Sequence, residues 1–152
     1  MTYAVLTEGL PSQEERSTWI HAFRKVGDYP DKTQFSGKWL IWFHVAMIDR
    51  YWQKIAEAAE QGYYLGNEAK VATARGARAS IIGPGYKRSD DSMQGKFHVI
   101  CVYTYDWTDI IDVMGIRQAL RELGVKRQIK YKADADTRAG HYRSDYKPIY
   151  WA

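Results

Sequence analysis

The stretch FHVICVYTYDW, residues 97–107, decides the fold of this chain. Its first part is an almost unbroken apolar and β-branched run, which is typical of a strand covered on both faces. Its second half places Tyr103 and Tyr105 on one face of an extended chain, and Thr104 and Asp106 on the other. A buried polar group without a partner costs about 1–3 kcal/mol. We therefore expect this strand end to have partners in the protein or in a ligand.

Periodic patterns on both sides of this stretch predict the remaining elements. Helices are predicted from a capping box at Ser12 and Glu15 through Trp19, Ile20, Phe23 and Val26, from about Ile48 to Gly62, and from Thr108 or Asp109 to Gly124. Strands are predicted over residues 38–44, 69–73 and 128–132, and one helical turn after Asp136. Residues 75–96, rich in glycine and charge, are predicted to form a long mobile loop with a short extended piece at residues 80–82. We expect residues 1–152 to form a single α+β domain, with a curved, mostly antiparallel sheet backed by helices.

Composition limits the classes of function. The 152 residues carry a net charge of +4 and 14% aromatic side chains, which favours an anionic partner and suits nucleotide stacking. No run of 18 apolar residues and no signal peptide is evident, and Cys101 stands in an apolar strand. We therefore expect a cytoplasmic protein without a disulfide. For the positive charge, a surface on which the lysines and arginines are merely solvated is a simpler explanation than an anionic partner.

Signals for catalysis or metal binding are weak. The four histidines (His21, His44, His98 and His141) are scattered, so no metal and no cofactor is predicted. There is no nucleophile elbow, and residues 83–87, GPGYK, lack the ending of a phosphate-binding loop. These absences favour binding over catalysis.

A set of cationic, hydroxyl and aromatic residues remains. If the predicted strands are neighbours, their ends bring these groups together, so that lysine and arginine neutralise phosphate while aromatic rings stack on a base. In the alternative interpretation the tyrosines fill the core and the lysines point to water. The candidate ligand-binding residues are Trp39, Lys70, Thr73, Tyr103, Tyr105, Lys132, Asp134, Thr137, Tyr142 and Arg143.

Several separated motifs resemble a known family. The segments SGKWLI (36–41) and DRYWQKI (49–55) resemble the Gly-Lys-Trp strand and Asp-x-x-Trp helix of the cap-binding translation-initiation-factor fold. Residues 65–73, 99–106 and 131–142 are similar to the basophilic-leukaemia-expressed protein family, whose small bacterial and phage members are commonly labelled phosphothreonine lyase domain proteins. The resemblance spans about residues 36–142. It implies a cap-binding-like curved antiparallel sheet with a concavity large enough for a ligand.

The resemblance leaves three functions open. We predict a non-catalytic protein that encloses a phosphorylated, nucleotide-like small molecule; one setting is a phage protein that sequesters a nucleotide-derived immune signal in the host cytosol. The lyase label implies instead a phosphate β-elimination, with Lys70 or Lys132 as base and His98 or His141 as acid. The third function is binding of RNA or a capped end.

Overall fold

A computed structural model of the chain describes residues 5–79, 95–141 and 146–152. Its strands in these ranges are β1 (Trp19–Phe23), β2 (Gly37–His44), β3 (Glu68–Ala72), β4 (Phe97–Thr104), β5 (Lys130–Ala133) and β6 (Tyr150–Trp151). They form one antiparallel sheet in the order β1-β3-β4-β2-β5-β6. The helices are α1 (Val45–Gln61), α2 (Ala74–Ala79), α3 (Ile110–Glu122) and α4 (Asp134–Arg138). The predicted α+β class, with a curved antiparallel sheet backed by helices, is confirmed.

Strand β4 lies in the middle of the sheet, as its sequence predicts. Every residue from His98 to Thr104 is buried, and β3 and β2 pair with its two edges. Its long pairing with β2 sets Ile41 opposite Ile100 and Lys38 opposite Tyr103. This register decides which side chains meet on each face of the sheet, because neighbouring residues of a strand point to opposite faces.

The main hydrophobic core lies between one face of the sheet and the helices α1 and α3. From the strands it includes Trp39, Ile41, Ile100, Val102 and Tyr131. Helix α1 contributes residues at three- and four-residue spacing, namely Ile48, Trp52, Ile55, Ala58 and Ala59, and it ends at Gly62, whose φ of 70° suits glycine. Burial of large apolar side chains at about 25 cal/mol per Å² makes this face the principal source of stability.

The opposite face of the sheet has a different composition. A smaller apolar cluster of Ala72, Val99, Cys101 and Tyr103 lies there, with Trp19, Leu40 and Trp42 packed against it. The strand positions of the same parity include Lys38, Lys70 and Lys132. We call this side of the sheet, with the three lysines and the aromatic residues Trp19, Trp42 and Tyr103, the lysine face.

The prediction of a first helix in residues 12–26 is wrong. Residues 19–23 form strand β1, which pairs with β3 so that Ile20 and Ala22 enter the main core. Ser12 does not begin a helix: its amide and hydroxyl both donate to the carboxylate of Asp49. The apolar residues of this segment fit a period of two as well as a period near 3.6, and pairing with β3 decided between them.

Two smaller predictions also need correction. The segment expected to be a loop from residue 75 begins inside a helix, because α2 covers Ala74–Ala79. Residues 80–94 lie outside the described residues, and with them the extended piece expected at residues 80–82. The expected mobility of the loop is therefore not tested. The turn expected after Asp136 begins earlier, at Asp134. Within the described ranges, no helix combines the length and the apolar character needed to cross a membrane.

Candidate ligand-binding face

Three ammonium groups converge on the ring of Tyr103. The Nζ atoms of Lys32, Lys38 and Lys70 lie 3.9, 5.5 and 6.0 Å from the centroid of that ring. The register explains two of them, because Lys38 is directly opposite Tyr103 on β2, and Lys70 is opposite Cys101, two residues before Tyr103 on β4. Cations attract the face of an aromatic ring by about 0.5–2 kcal/mol. The Tyr103 ring is therefore the centre of a cationic site on the lysine face.

Lys38 is held by a buried network. Its Nζ atom donates to Asp134 Oδ1 at 2.7 Å and to Thr137 Oγ1 at 2.9 Å, while Ser36 Oγ donates to Asp134 Oδ2 at 2.7 Å. Burial alone raises the pKa of Asp134, but the hydrogen bonds from Lys38 and Ser36 and the charge of Lys38 outweigh it, so the pKa lies below its usual value. Asp134 is thus a fixed anion that orients Lys38.

Lys32 and Glu68 form the second ion pair of the site. Lys32 Nζ lies 2.8 Å from Glu68 Oε1, and Lys32 comes from the loop before β2, with 44% of its side chain exposed. His21 Nδ1 lies 3.9 Å from Glu68 Oε2. Lys32 is therefore an accessible cation above Tyr103, and we expect its removal to disturb the fold little.

Lys70 projects from β3 between two aromatic rings. Its Nζ atom is 3.9 Å from the centroid of Trp19 and 6.0 Å from that of Tyr103. Among the described residues it makes neither a hydrogen bond nor an ion pair within 4.0 Å of a carboxylate. Burial lowers the pKa of Lys70, and the charges of Lys38 and Lys32 lower it further.

Lys132 extends the cationic site across β5. It is opposite Lys38 in the register and is 4% exposed, and its Nζ atom lies 4.8 Å from the centroid of the Tyr146 ring. Burial and the charge of Lys38 lower the pKa of Lys132. Lysines on β3, β2 and β5 therefore face the same side of the sheet. The carboxylates whose charges oppose theirs include Glu68, Asp134 and Asp136.

The predicted site residues separate into three groups. Lys70, Tyr103, Lys132, Asp134 and Thr137 come together on the lysine face, through the contacts given above. Tyr142 and Arg143 lie outside the described residues. The remaining three, Trp39, Thr73 and Tyr105, lie elsewhere.

Trp39 is a core residue. It is fully buried on the helix-facing side of β2, where its Nε1 atom donates to the carbonyl oxygen of Val113 at 3.1 Å. Its ring packs at right angles to Tyr131, with 5.3 Å between the centroids. A ligand on the lysine face cannot touch Trp39, because the sheet lies between them.

Thr73 and Tyr105 also have local structural partners. Thr73 donates to the carbonyl oxygen of Ser17 and accepts from the amide of Gly76, which caps helix α2. Strand β4 ends at Thr104, so Tyr105 does not share the face of Tyr103; its hydroxyl donates to Asp109, and this hydrogen bond raises the pKa of Tyr105 to about 12.

The two histidines named for lyase chemistry have different surroundings, and His98 lies on the face of the sheet opposite to the lysines. His98 is fully buried with the parity of Ile100 and Val102, so it faces the helices, and its Nδ1 atom donates to the carbonyl oxygen of Ala72 at 2.6 Å. Burial lowers the pKa of His98. His141 is exposed beyond α4, with Nδ1 3.2 Å from Asp136 Oδ1. His98 therefore cannot deliver a proton to a substrate held by Lys70 and Lys132.

Sequence reasoning missed Lys38, Lys32 and Trp19 as site residues. Lys38 was visible inside the Gly-Lys-Trp motif, and its parity with Leu40 and Trp42 separates it from the core residues Trp39 and Ile41. Lys32 lies in a loop whose path no local pattern gives. In the described part of the chain, no group of three or more histidine, cysteine or acidic residues could hold a metal ion.

Solved structures share this fold. A complex of Caenorhabditis elegans eIF4E-3 with the 4E-binding protein Mextli matches at a TM-score of 0.54 and 16% identity, over 78% of this chain and 59% of that one. The Ascaris suum eIF4E-3 complex with the m2,2,7G cap matches at a TM-score of 0.50 and 17% identity, over 77% and 57%. The chain thus spans less than two thirds of these neighbours. At such identities the likeness shows the fold, which is that of the cap-binding initiation factors.

A family model assigns the chain more closely. The model described as basophilic leukemia-expressed protein Bles03 matches residues 21–140, which run from β1 to the end of α4 and include every described lysine of the site. The resemblance seen in the sequence motifs is thereby confirmed. The chain belongs to the basophilic leukemia-expressed protein Bles03 family.

Proposed function

We propose that the lysine face binds an anionic, phosphorylated, nucleotide-like small molecule. The observation that carries the proposal is the convergence of Lys32, Lys38 and Lys70 on the ring of Tyr103, with Lys132 opposite Lys38 in the register. Phosphate oxygens accept charge-assisted hydrogen bonds from ammonium groups, and such bonds are about twice as strong as neutral ones.

The charge balance of the face supports an anionic ligand. Glu68 pairs with Lys32 and Asp134 pairs with Lys38, while Lys70 has no carboxylate within 4.0 Å among the described residues. Burial is the first cause that lowers the pKa values of Lys70 and Lys132, and repulsion by the neighbouring lysine charges lowers them further. A bound phosphate would relieve that repulsion, so its binding is favoured over that of a neutral analogue.

Aromatic side chains on the same face suit a planar base. Trp19 and Trp42 are partly exposed on either side of the cluster that contains Tyr103, and stacking of a base on such rings is worth about 1–3 kcal/mol. One biological setting for such a protein is sequestration of a nucleotide-derived immune signal by a phage in the host cytosol. The position of His98 on the opposite face of the sheet removes one of the two histidines that a lyase would use as its acid.

The first experiment is native mass spectrometry of the purified protein, repeated after denaturation, followed by thermal unfolding with a panel of nucleotides, cyclic nucleotides and ADP-ribose. A ligand at 100 times its Kd adds about 2.7 kcal/mol to the free energy of unfolding. We expect a phosphorylated compound to raise Tm, and its dephosphorylated analogue to raise it much less, because the analogue keeps only the stacking of its base. Equal shifts with both compounds, or no shift with any, would contradict the proposal.

Matched lysine variants locate the binding. Lys70→Ala and Lys32→Ala are expected to weaken binding at least tenfold each, because one charge-assisted hydrogen bond is worth about 1.5–3 kcal/mol. The control is Lys54→Ala: Lys54 also lies over a ring, that of Tyr51 at 5.4 Å, but it is exposed on α1 away from the lysine face. Equal losses in all three variants would point to unspecific attraction by net charge.

Two other functions are outcomes of the same measurements. Binding of RNA or a capped end predicts that log Kd rises steeply with log salt, because several phosphates are neutralised. A phosphothreonine lyase predicts a product peptide lighter by one water than the unphosphorylated peptide. Stoichiometric, weakly salt-dependent binding of a small phosphate without turnover would separate the proposed function from both.

A further inference from the structure

We propose that Lys70 is a carbonyl-reactive lysine, which forms an imine with a phosphorylated aldehyde bound on the lysine face. The inference rests on the proposed function, because the neighbouring lysines must hold the phosphate. It adds a chemical class to that ligand and a covalent step to the site.

The position of Lys70 differs from that of the other lysines at the site. Lys32 and Lys38 each have a carboxylate within 2.8 Å, whereas Lys70 has none within 4.0 Å among the described residues. Its Nζ atom lies 3.9 Å from the Trp19 ring centroid, on a half-buried strand position. Because no carboxylate of the described residues holds Lys70 in an ion pair, its amine can reach a ligand carbonyl placed beside the Trp19 ring.

The pKa of Lys70 is lowered overall, so a larger fraction of it is the neutral amine, which is the nucleophile, than in an exposed lysine. Burial lowers the pKa of Lys70, Lys38 on β2 and Lys32 in the preceding loop lower it further, and Glu68 on its own strand opposes them. Cys101 on β4 is buried, and burial raises the pKa of that thiol, so it stays uncharged. His21, opposite Lys70 on β1, has a pKa lowered first by burial and is neutral as well. Among the described residues, the charged groups facing Lys70 are thus two cations against one carboxylate before the ligand binds; once a phosphate neutralises the cations, burial is the cause that still lowers the pKa of Lys70.

The same ring places a phosphate subsite next to Lys70. Lys32, Lys38 and Lys70 all lie within 6.0 Å of the Tyr103 centroid, so a small molecule can contact them together. If Lys32 and Lys38 hold the phosphate, the other end of such a molecule lies close to Lys70 and the ring of Trp19. Holding both reacting groups in one site makes the addition effectively unimolecular.

The chemistry is balanced without a further reactant. The lone pair of Lys70 Nζ adds to the aldehyde carbon, the carbonyl oxygen takes up a proton, and a carbinolamine forms. That proton comes from Nζ; loss of hydroxide together with the remaining Nζ proton, as one water, then gives the carbon–nitrogen double bond. No atom is oxidised or reduced, and hydrolysis returns the amine and the aldehyde. Borohydride, added as a probe, reduces the imine to a stable secondary amine.

Pyridoxal 5′-phosphate is the probe, since it carries an aldehyde, a phosphate and a planar ring. The full chain is incubated at neutral pH with an equimolar amount, reduced with borohydride, digested and mapped by mass spectrometry. We expect Lys70 to be labelled at least several-fold more than Lys54, because the neighbouring lysines hold the phosphate and keep the aldehyde close to Lys70. Pyridoxal, which lacks the phosphate, should label Lys70 about tenfold less, because Lys32 and Lys38 no longer hold it.

The variants separate this inference from the proposed function. Lys70→Arg keeps the charge but cannot form an imine, so labelling should disappear while noncovalent binding of a nucleotide persists; Lys54→Arg should leave both unchanged. Labelling spread over exposed lysines, or equal labelling by pyridoxal, would overturn the carbonyl-reactive role of Lys70. If nucleotide binding survives in that case, the proposed function stands; if it too is missing, both fail.

Discussion

Lys38 and Asp134, 96 positions apart in sequence, form a buried ion pair with 2.7 Å between Nζ and Oδ1. Lys38 lies on β2 and Asp134 begins α4 directly after β5, so the pair fastens the start of α4 against the sheet. Thr137 and Ser36 complete the hydrogen bonds of the two charges. The pair connects the stability of the fold with the position of a lysine at the candidate site.

Lys38→Met is expected to destabilise the protein by about 3–5 kcal/mol, because it leaves the Asp134 carboxylate buried without its cation. Urea unfolding at neutral pH measures the change. The control is Lys25→Met, which breaks an exposed pair with Glu60 at 3.4 Å and should cost about 0–1 kcal/mol. Equal costs in the two variants would show that the Lys38 pair is not buried in solution.

Acid stability should depend on His98. Burial lowers its pKa below the unfolded value near 6.5, so the native state binds this proton less readily than the unfolded chain. Above the unfolded pKa, His98 is neutral in both states and does not change the free energy of unfolding. As the pH drops from there toward the folded pKa, the free energy of unfolding falls, by at most about 1.4 kcal/mol per pH unit. His98→Asn removes the titration and keeps an N–H that can donate to Ala72, so its stability should fall less between pH 7 and 5.

Unfolding free energies measured across that pH range test the prediction. Burial also lowers the pKa of His21, so the stability of His98→Asn should still depend to some extent on pH. An unchanged slope in His98→Asn would mean that His98 is not buried as a neutral group.

Two glycine substitutions should act in opposite directions. A Cβ atom at Gly37 would lie 2.5 Å from the ring of Tyr131, which is fully buried and hydrogen-bonded to Thr104 at 2.6 Å. Gly37→Ala is therefore expected to destabilise the protein by about 1–3 kcal/mol. A Cβ atom at Gly115, in helix α3, meets nothing within 4 Å, so Gly115→Ala should stabilise it by about 0.5–1 kcal/mol. Thermal unfolding of both variants checks the signs.

Substitutions of two tryptophans should affect stability and ligand binding separately. Trp39→Phe loses the hydrogen bond to Val113 and part of a fully buried ring, and should cost about 1–3 kcal/mol of stability with no change in ligand affinity. Trp19→Phe, on the lysine face beside Lys70, should weaken binding with little loss of stability. Calorimetric titration with the compound found by mass spectrometry measures both. Weaker binding in Trp39→Phe, under conditions where it is folded, would reverse the assignment.

Strong local patterns predicted much of the fold. The apolar run of β4, the aromatic strand β2 and the amphipathic helices α1 and α3 each bury residues at the spacing that their sequence shows. Segment 12–26 was mispredicted because its apolar residues suit two periods and its serine resembles a helix cap. Ser12 instead binds Asp49, 37 positions away, and that contact is not visible locally.

The sequence by itself determined most of the elements and the α+β class, because side-chain period and type are local properties. Tertiary structure alone decided which residues meet. The pairing of β2 with β4 put Lys38 opposite Tyr103, and the opposite parity sent Trp39 and His98 to the core. A shift of one residue in that register would exchange the two faces, so the site depends on the register as much as on composition.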